Sequence, residues 1–289
     1  LRDGLSRSTG ALTEGLGSIF TKRRLDNEAL YAIAFFGAIS AGLVALPSSA
    51  MLTPGEADFL VKDSGAGAVV LASGLGLTEA LPAGTRLIER AEIADWVAKG
   101  PEADWADTHA DDPTYIIFTS GTTSRPKGVL HAQRSAWGRR PMFSGWHDIG
   151  AGDVVLHAGA FNWTYTLGVG LTDPWAAGAT SILYAGPKDP AVWPRLIARH
   201  RPTIFATVPS LYRQILKYGD PAAHDLSSLR HGLSAGEALP AATRQLWREA
   251  SNWSRTSGAV VFMAHWDHFG ECATAPAEDL ICNGAVDNA

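Results

Sequence analysis

Between residues 25 and 250 short apolar runs alternate with longer amphipathic ones, and that rhythm narrows the possible folds of this 289-residue chain more than any other feature. A short apolar run suits a buried strand, and an amphipathic run of helical period can cover one face of the sheet that such strands build. The pattern predicts strands at 68–72, 115–118, 154–158, 180–184, 203–207 and 232–234, and helices at 56–64, 132–146, 190–200, 209–218 and 240–249. Several of these helices open on proline, which is tolerated in the first turn because that N–H has no helical partner. Strands and helices taken in turn read as an α/β fold, mainly parallel sheets with flanking helices joined by right-handed crossovers. The Asp-rich stretch 103–113 lacks periodicity and reads as a surface connection.

One segment could point elsewhere. No charged residue lies between Glu28 and Glu56, and the apolar run 29–46, preceded by Lys22, Arg23 and Arg24, is long enough for a membrane span. It divides, however, into a helix-like half (28–41), Gly42, and a strand-like half (43–46) that ends at Pro47. A buried helix, a glycine stop and a buried strand are therefore expected, with no stable membrane insertion. No signal peptide is visible. A membrane-anchored protein is the competing reading. Composition excludes other classes: 46% hydrophobic residues against 18% charged, with 10 Trp, is not the make-up of a disordered chain. With 24 Lys plus Arg against 29 Asp plus Glu, no overall basic field draws in nucleic acid. Cys272 and Cys282 are too few for a disulfide framework and lack the spacing of a four-ligand zinc site, which predicts a reducing, cytoplasmic setting.

The chemistry concentrates in Tyr115-Ile-Ile-Phe-Thr-Ser-Gly-Thr-Thr-Ser-Arg-Pro-Lys-Gly-Val-Leu-His131. A short apolar strand runs into hydroxyl residues and glycine, then a single lysine, then a second apolar step. Backbone N–H groups freed by Gly121, hydroxyls of Thr119, Ser120, Thr122 and Thr123, and the ammonium of Lys127 make a cradle for a polyphosphate. A Walker A loop is excluded, because Pro126 and Gly128 stand where that motif needs glycine and a hydroxyl residue.

Thr119-Ser-Gly-Thr-Thr-Ser-Arg-Pro-Lys-Gly128 resembles the phosphate-loop signature of the AMP-forming acyl-CoA synthetases, members of the adenylate-forming superfamily. Ser124 stands where this family most often has glycine. Other stretches follow in the family's order. Ala34-Phe-Phe-Gly-Ala-Ile-Ser-Ala-Gly42 is similar to a helix near the start of its large domain, and Ser234-Ala-Gly-Glu-Ala-Leu-Pro240 to its adenine-wall loop. The resemblance implies adenine contacts from Ser234, Ala235, Gly236, Glu237 and Ala238. Phe161-Asn-Trp-Thr-Tyr-Thr-Leu-Gly168 and Pro174-Trp175 look most like the medium-chain and aromatic acyl-CoA ligases, which implies that Trp163 and Tyr165 border the pocket for a small-molecule carboxylic acid.

The implied reaction uses ATP and Mg2+ to convert the acid to an acyl adenylate, after which coenzyme A displaces AMP. No catalytic residue is assigned; Lys127 and the hydroxyls position phosphates and neutralise charge. His131 and His157 read as structural, and His265, His268, Glu271 and Cys272 are too closely spaced for a convincing metal site. The resemblance implies a partial N-terminal domain: a poorly patterned segment at 1–24, an AMP-binding core at 25–250 and a divergent tail at 251–289. The family's small C-terminal domain is missing from the pattern, and Phe269-Gly270-Glu271 is at most a degenerate echo of its aromatic-Gly-x-Thr-Glu motif. A truncated ligase with ends read out of frame is one expectation; a non-catalytic module that binds ATP or AMP is the alternative.

Overall fold

The computed structural model describes residues 27–70, 81–100, 103–119 and 126–251. The chain divides into two units, Leu1–Gly138 with Phe161–Thr164 and Arg139–Ala160 with Tyr165–Ala289.

In the first unit the uncharged run forms a helix at Asn27–Ser40, which buries Leu30, Ala32 and Phe35. At 14 residues it is far short of a span, and among the described residues no helix is long and apolar enough to cross a membrane. Gly42 ends it with φ of 73°, a left-handed angle that glycine adopts without cost. The expected buried strand at 43–46 is corrected: only Ala45 bridges, donating to the Thr114 carbonyl at 2.9 Å and accepting from Ile116 N–H at 2.8 Å. Leu43 and Val44 stay exposed, and Pro47 has no N–H with which to extend the ladder. The helix Pro54–Ser64 opens on Thr53, whose N–H donates to the Glu56 carboxylate at 2.7 Å while its own hydroxyl caps Glu56 N–H. Strand β1 (Ala68–Val70) pairs in parallel with β2 (Arg86–Ile88), and a helix follows at Arg90–Lys99. Neither β2 nor that helix is legible in the apolar rhythm, because β2 is three residues long and the helix buries only Ile93.

Strand β3 (Pro113–Thr119) pairs antiparallel with β4 (Lys127–Ala132). This ladder corrects the helix expected at 132–146. The strand runs through Ala132, a short helix follows at Arg134–Gly138, and a π-helical turn occupies Phe143–His147. Pro141 lacks the N–H that a continuous helix would need there.

In the second unit β5 (Val154–His157), β6 (Thr180–Ile182), β7 (Ile204–Thr207) and β8 (His231–Ser234) form a parallel sheet in the order β6-β5-β7-β8. All residues of β7 and β8 are buried, so hydrophobic residues need not alternate with polar ones along them. One face carries Leu156 and Phe205 against Trp193 and Ile197 of the helix Val192–His200, Tyr212 and Ile215 of the helix Pro209–Tyr218, and Trp247 of the helix Ala241–Ala250. The other carries Val155, Ile204, Ala206 and Leu233 against Trp146, Tyr165 and Val169. Helices thus cover both faces, the α/β architecture expected from the alternation.

The N-terminal edge of this sheet is tied by ions. Asp153 accepts from Thr203 Oγ1 at 2.7 Å and from Arg230 Nε and Nη2 at 2.8 and 2.6 Å, joining the starts of β5, β7 and β8. Of its connections, β5 leads to β6 on one side and β7 to β8 on the other. The Tyr165–Val169 run and the helix Pro209–Tyr218 that carry them lie on opposite faces, so a switch point opens between the C-terminal ends of β5 and β7.

Candidate functional site

The residues that bound the hydroxyl-rich segment share one rung. Thr119, the last residue of β3, is the register partner of Lys127, the first of β4, and both are exposed. Ser120, Gly121, Thr122 and Thr123, together with Ser124 and Arg125, lie outside the described residues. Gly128 allows this approach: a Cβ there would lie 3.1 Å from Ile116 Cγ2 and 3.3 Å from the Phe118 ring. His131 stacks on its cross-strand partner Tyr115 with ring centroids 4.3 Å apart, in keeping with a structural role.

The second group leaves the C-terminal end of β8. Ser234 and Ala235 are buried, Ala235 among Trp146, Val155 and Tyr165, whereas Gly236, Glu237 and Ala238 emerge at the surface. Gly236 has φ of 100°, a region essentially closed to residues with a Cβ, although the space around it is open, with only Val208 at 4.0 Å. Glu237 pairs with Arg213 at 3.2 Å on the exposed surface. Replacement of Gly236 by valine is expected to cost about 1–3 kcal/mol of stability through backbone strain alone. A urea-unfolding midpoint equal to that of the parent chain would contradict this.

The aromatic region separates between the units. Trp163 belongs to the first and is 55% exposed. Tyr165 belongs to the second, where it is buried and its hydroxyl lies 3.5 Å from the Thr207 carbonyl oxygen. Burial, and then the neighbouring Tyr212, holds this phenol protonated well beyond its usual range. Tyr165 meets the ring of His157 edge-to-face, centroids 4.5 Å apart. His157 ends β5. Gly159 N–H donates to its Nδ1 at 2.9 Å, and burial, with the charge of Lys188, pushes its pKa down to about 3.

Behind this region lies a buried charge pair that the motifs did not reveal. Arg139 donates to Asp173 through Nε at 2.7 Å and Nη2 at 2.5 Å. Asp173 is 2% exposed and Arg139 side chain 15%. The signal was present: an aspartate inside the apolar stretch 165–177 must find a partner if it is buried. The glycine at 168 is what admits the guanidinium, since a Cβ there would collide with it. His147 lies 3.6 Å from Asp173, too far for a hydrogen bond. Burial outweighs that carboxylate and lowers the pKa of His147 to about 4, so the ring is neutral and the contact is not an ion pair.

Burial also lowers His231, whose Nε2 lies 3.1 Å from the Trp146 carbonyl oxygen. These three histidines make stability depend on pH. In the unfolded chain each titrates near 6.5, while in the fold His147 stays neutral down to about 4 and His157 to about 3. The unfolded state therefore binds more protons as the pH falls below 6.5, and stability is lost through that window. The urea midpoint is expected to drop between pH 7.5 and pH 5; an unchanged midpoint would argue against buried neutral rings.

Among the described residues no three His, Cys, Asp or Glu side chains come together as a metal site, and His265, His268, Glu271 and Cys272 lie outside those residues.

Residues 24–258 match the family model described as AMP-binding enzyme. The chain is 31% identical over 234 residues to the benzoate–CoA ligase of Thauera aromatica, covering 75% of this chain and 44% of that protein. The crystal structure of the anthranilate CoA ligase AuaEII in complex with anthranoyl-AMP is similar at a TM-score of 0.71 and 28% identity, over 80% of this chain and 46% of that one. A benzoate CoA ligase from Burkholderia xenovorans LB400 gives a TM-score of 0.67 and 29% identity, over 81% and 47%. The chain thus spans less than half the length of these relatives. Its parallel sheet, its hydroxyl-rich segment between Thr119 and Lys127 and the family match over 24–258 agree, and the chain belongs to the AMP-binding enzyme family.

Proposed function

We propose that residues 25–250 are the core of an acyl-CoA ligase that activates an aromatic carboxylic acid with ATP in the cytoplasm. The observation that carries this reading is the Thr119–Lys127 rung, which pairs the two residues that bound a hydroxyl-rich stretch of sequence, the second of them its lysine. Similarity to benzoate– and anthranilate–CoA ligases supports an aryl acid.

In the proposed reaction an acid oxygen attacks the α-phosphorus of ATP, the bond to the bridging oxygen of the β-phosphate breaks, and pyrophosphate leaves with that electron pair. A thiolate of coenzyme A then attacks the acyl carbon and AMP leaves. Thr119, Ser120, Gly121, Thr122, Thr123 and Lys127 would hold the β- and γ-phosphates in line and offset the charge that builds on them. Ser234, Ala235, Gly236, Glu237 and Ala238 would form the adenine wall, where a backbone without a Cβ at Gly236 can lie against a purine. By the family resemblance, Trp163 and Tyr165 would border the acid. Mg2+ typically keeps several waters and is held through substrate phosphates with one or two carboxylates, so it would arrive on ATP. When bound, it would share the negative charge of the phosphates.

Carboxylate-dependent exchange of labelled pyrophosphate into ATP tests the reading directly. Exchange with benzoate supports it; nucleotide binding without exchange for any acid assigns this chain a binding role alone.

A further inference from the structure

Two side chains at the C-terminal edge of the parallel sheet bury polar atoms that have no hydrogen-bond partner, Nε2 of His157 and Oγ1 of Thr166. His157 is 6% exposed and Thr166 0%. Leaving such a group unsatisfied costs about 1–3 kcal/mol each, a cost that a ligand group bonding to both would recover. They share a neighbourhood: a Cβ on Gly159 would collide with Thr166 Oγ1 and stand 2.9 Å from His157 Cε1. Gly170 closes on the same ring, where an added Cβ would lie 2.7 Å from His157 Cβ. The edge-to-face contact with Tyr165 connects the pair to the proposed acid site.

The proton on His157 is placed by its neighbour. A backbone N–H can only donate, so Nδ1, which receives Gly159 N–H, carries the lone pair and Nε2 carries the hydrogen. The unmatched pair is thus one donor, Nε2–H, and one hydroxyl able to accept, on two side chains that both approach Gly159. Resting on the reading of this region as the acid pocket, we infer that His157 and Thr166 recognise a hydroxyl substituent on the ring of the aromatic acid. The substrate oxygen accepts from Nε2–H and its own hydrogen is donated to Thr166 Oγ1. A methyl group satisfies neither atom. A second carboxylate would meet a neutral imidazole and no charge partner in this pair; the nearby Lys188 ammonium is engaged at the Gly159 carbonyl oxygen, 3.2 Å away.

Hydrogen-bonding sites reject analogues lacking the matched group far more strongly than apolar pockets discriminate by size, and an advantage of about 100-fold is expected here. The experiment titrates the chain, with AMP present, against benzoate, the three monohydroxybenzoates and the three methylbenzoates. One hydroxy isomer should bind about 100-fold more tightly than the methyl isomer at the same position. In Thr166→Val, which keeps the side-chain shape, that ratio should collapse at least about tenfold, as expected for removal of one buried hydrogen bond. Because His157 variants can fail to fold, its part is read in the parent chain, by a shift of the imidazole 15Nε2 resonance when the preferred acid is added and none with the methyl analogue. Binding of benzoate with equal affinity for hydroxy and methyl isomers overturns this inference and leaves the aryl-acid reading standing. An unchanged ratio in Thr166→Val, or a silent 15Nε2 resonance, overturns it as well. Failure of every acid to bind overturns the aryl-acid reading and the inference with it.

Discussion

In Lys127→Ala, carboxylate-dependent pyrophosphate exchange falls by about 100-fold or more, the size of effect seen when one preorganised partner of developing charge is removed from an active site. The fold should be indifferent to the change. Lys127 is exposed at the first position of β4, and its pairing with Thr119 runs through the backbone, which alanine retains. Surface substitutions of this kind usually alter stability by less than about 0.5 kcal/mol. Two measurements are therefore paired: exchange activity, expected to collapse, and the urea midpoint, expected to hold. Lys127→Arg is the informative control. Arginine keeps the charge but replaces a compact ammonium with a planar fork, so partial recovery would say that charge is what the phosphates need, and none that the point geometry matters too. Exchange activity equal to the parent would remove the phosphate role from this lysine.

Asp173→Ala should have the largest effect on stability, a loss of about 3–5 kcal/mol. The reasoning is one of stranded charge. Asp173 is nearly inaccessible and accepts two hydrogen bonds from Arg139, so truncation removes the carboxylate that accepts those two bonds from a guanidinium in a low-dielectric site. A domain of ordinary stability, about 5–15 kcal/mol, loses much of its margin to such a change. The double variant Arg139→Met with Asp173→Leu separates stranded charge from lost packing. If charge is responsible, removing both partners costs much less than removing one. Denaturant unfolding of the three proteins provides the measurement; a double variant as unstable as Asp173→Ala would place the cost in packing instead.

The pairing of β3 with β4 shows where sequence reasoning stops. The hydroxyl-rich segment and its lysine are recognisable by residue type and order, yet nothing local says that Lys127 starts an antiparallel strand. That follows from Gly128 lying against Ile116 and Phe118, a contact between residues on two strands. The helix expected at 132–146 gives way at its start to the same ladder, which runs through Ala132, and further on to Pro141, which the sequence shows locally. The strand expected at 43–46 failed for a tertiary reason: β3 offers it a partner only at Ala45.

Tyr165 and Trp163 show the same limit in the aromatic stretch 161–168. Both are aromatic and two positions apart, and the family resemblance treats them alike, but one is buried beside His157 and the other is largely exposed. Likewise, His157 read as structural from its place at a strand end. Its position beside Thr166 and Gly170, with one ring nitrogen satisfied and the other not, arises only when the chain returns across the end of β5.

What the sequence determined by itself was the α/β class, the places of β1, β3 and β5 to β8 along the chain, the glycine stop at Gly42, the hydroxyl-rich segment with its lysine and the family it resembles. These depend on short-range physics: hydrophobic period, proline and glycine backbone limits, and functional groups a few residues apart. Tertiary structure alone decided the strand order β6-β5-β7-β8, the switch point between β5 and β7, the Arg139–Asp173 pair and the unmatched atoms of His157 and Thr166. Each depends on which distant residues meet and on how much water is excluded when they do, and the energy of a buried charge or an unpaired donor is set by that exclusion.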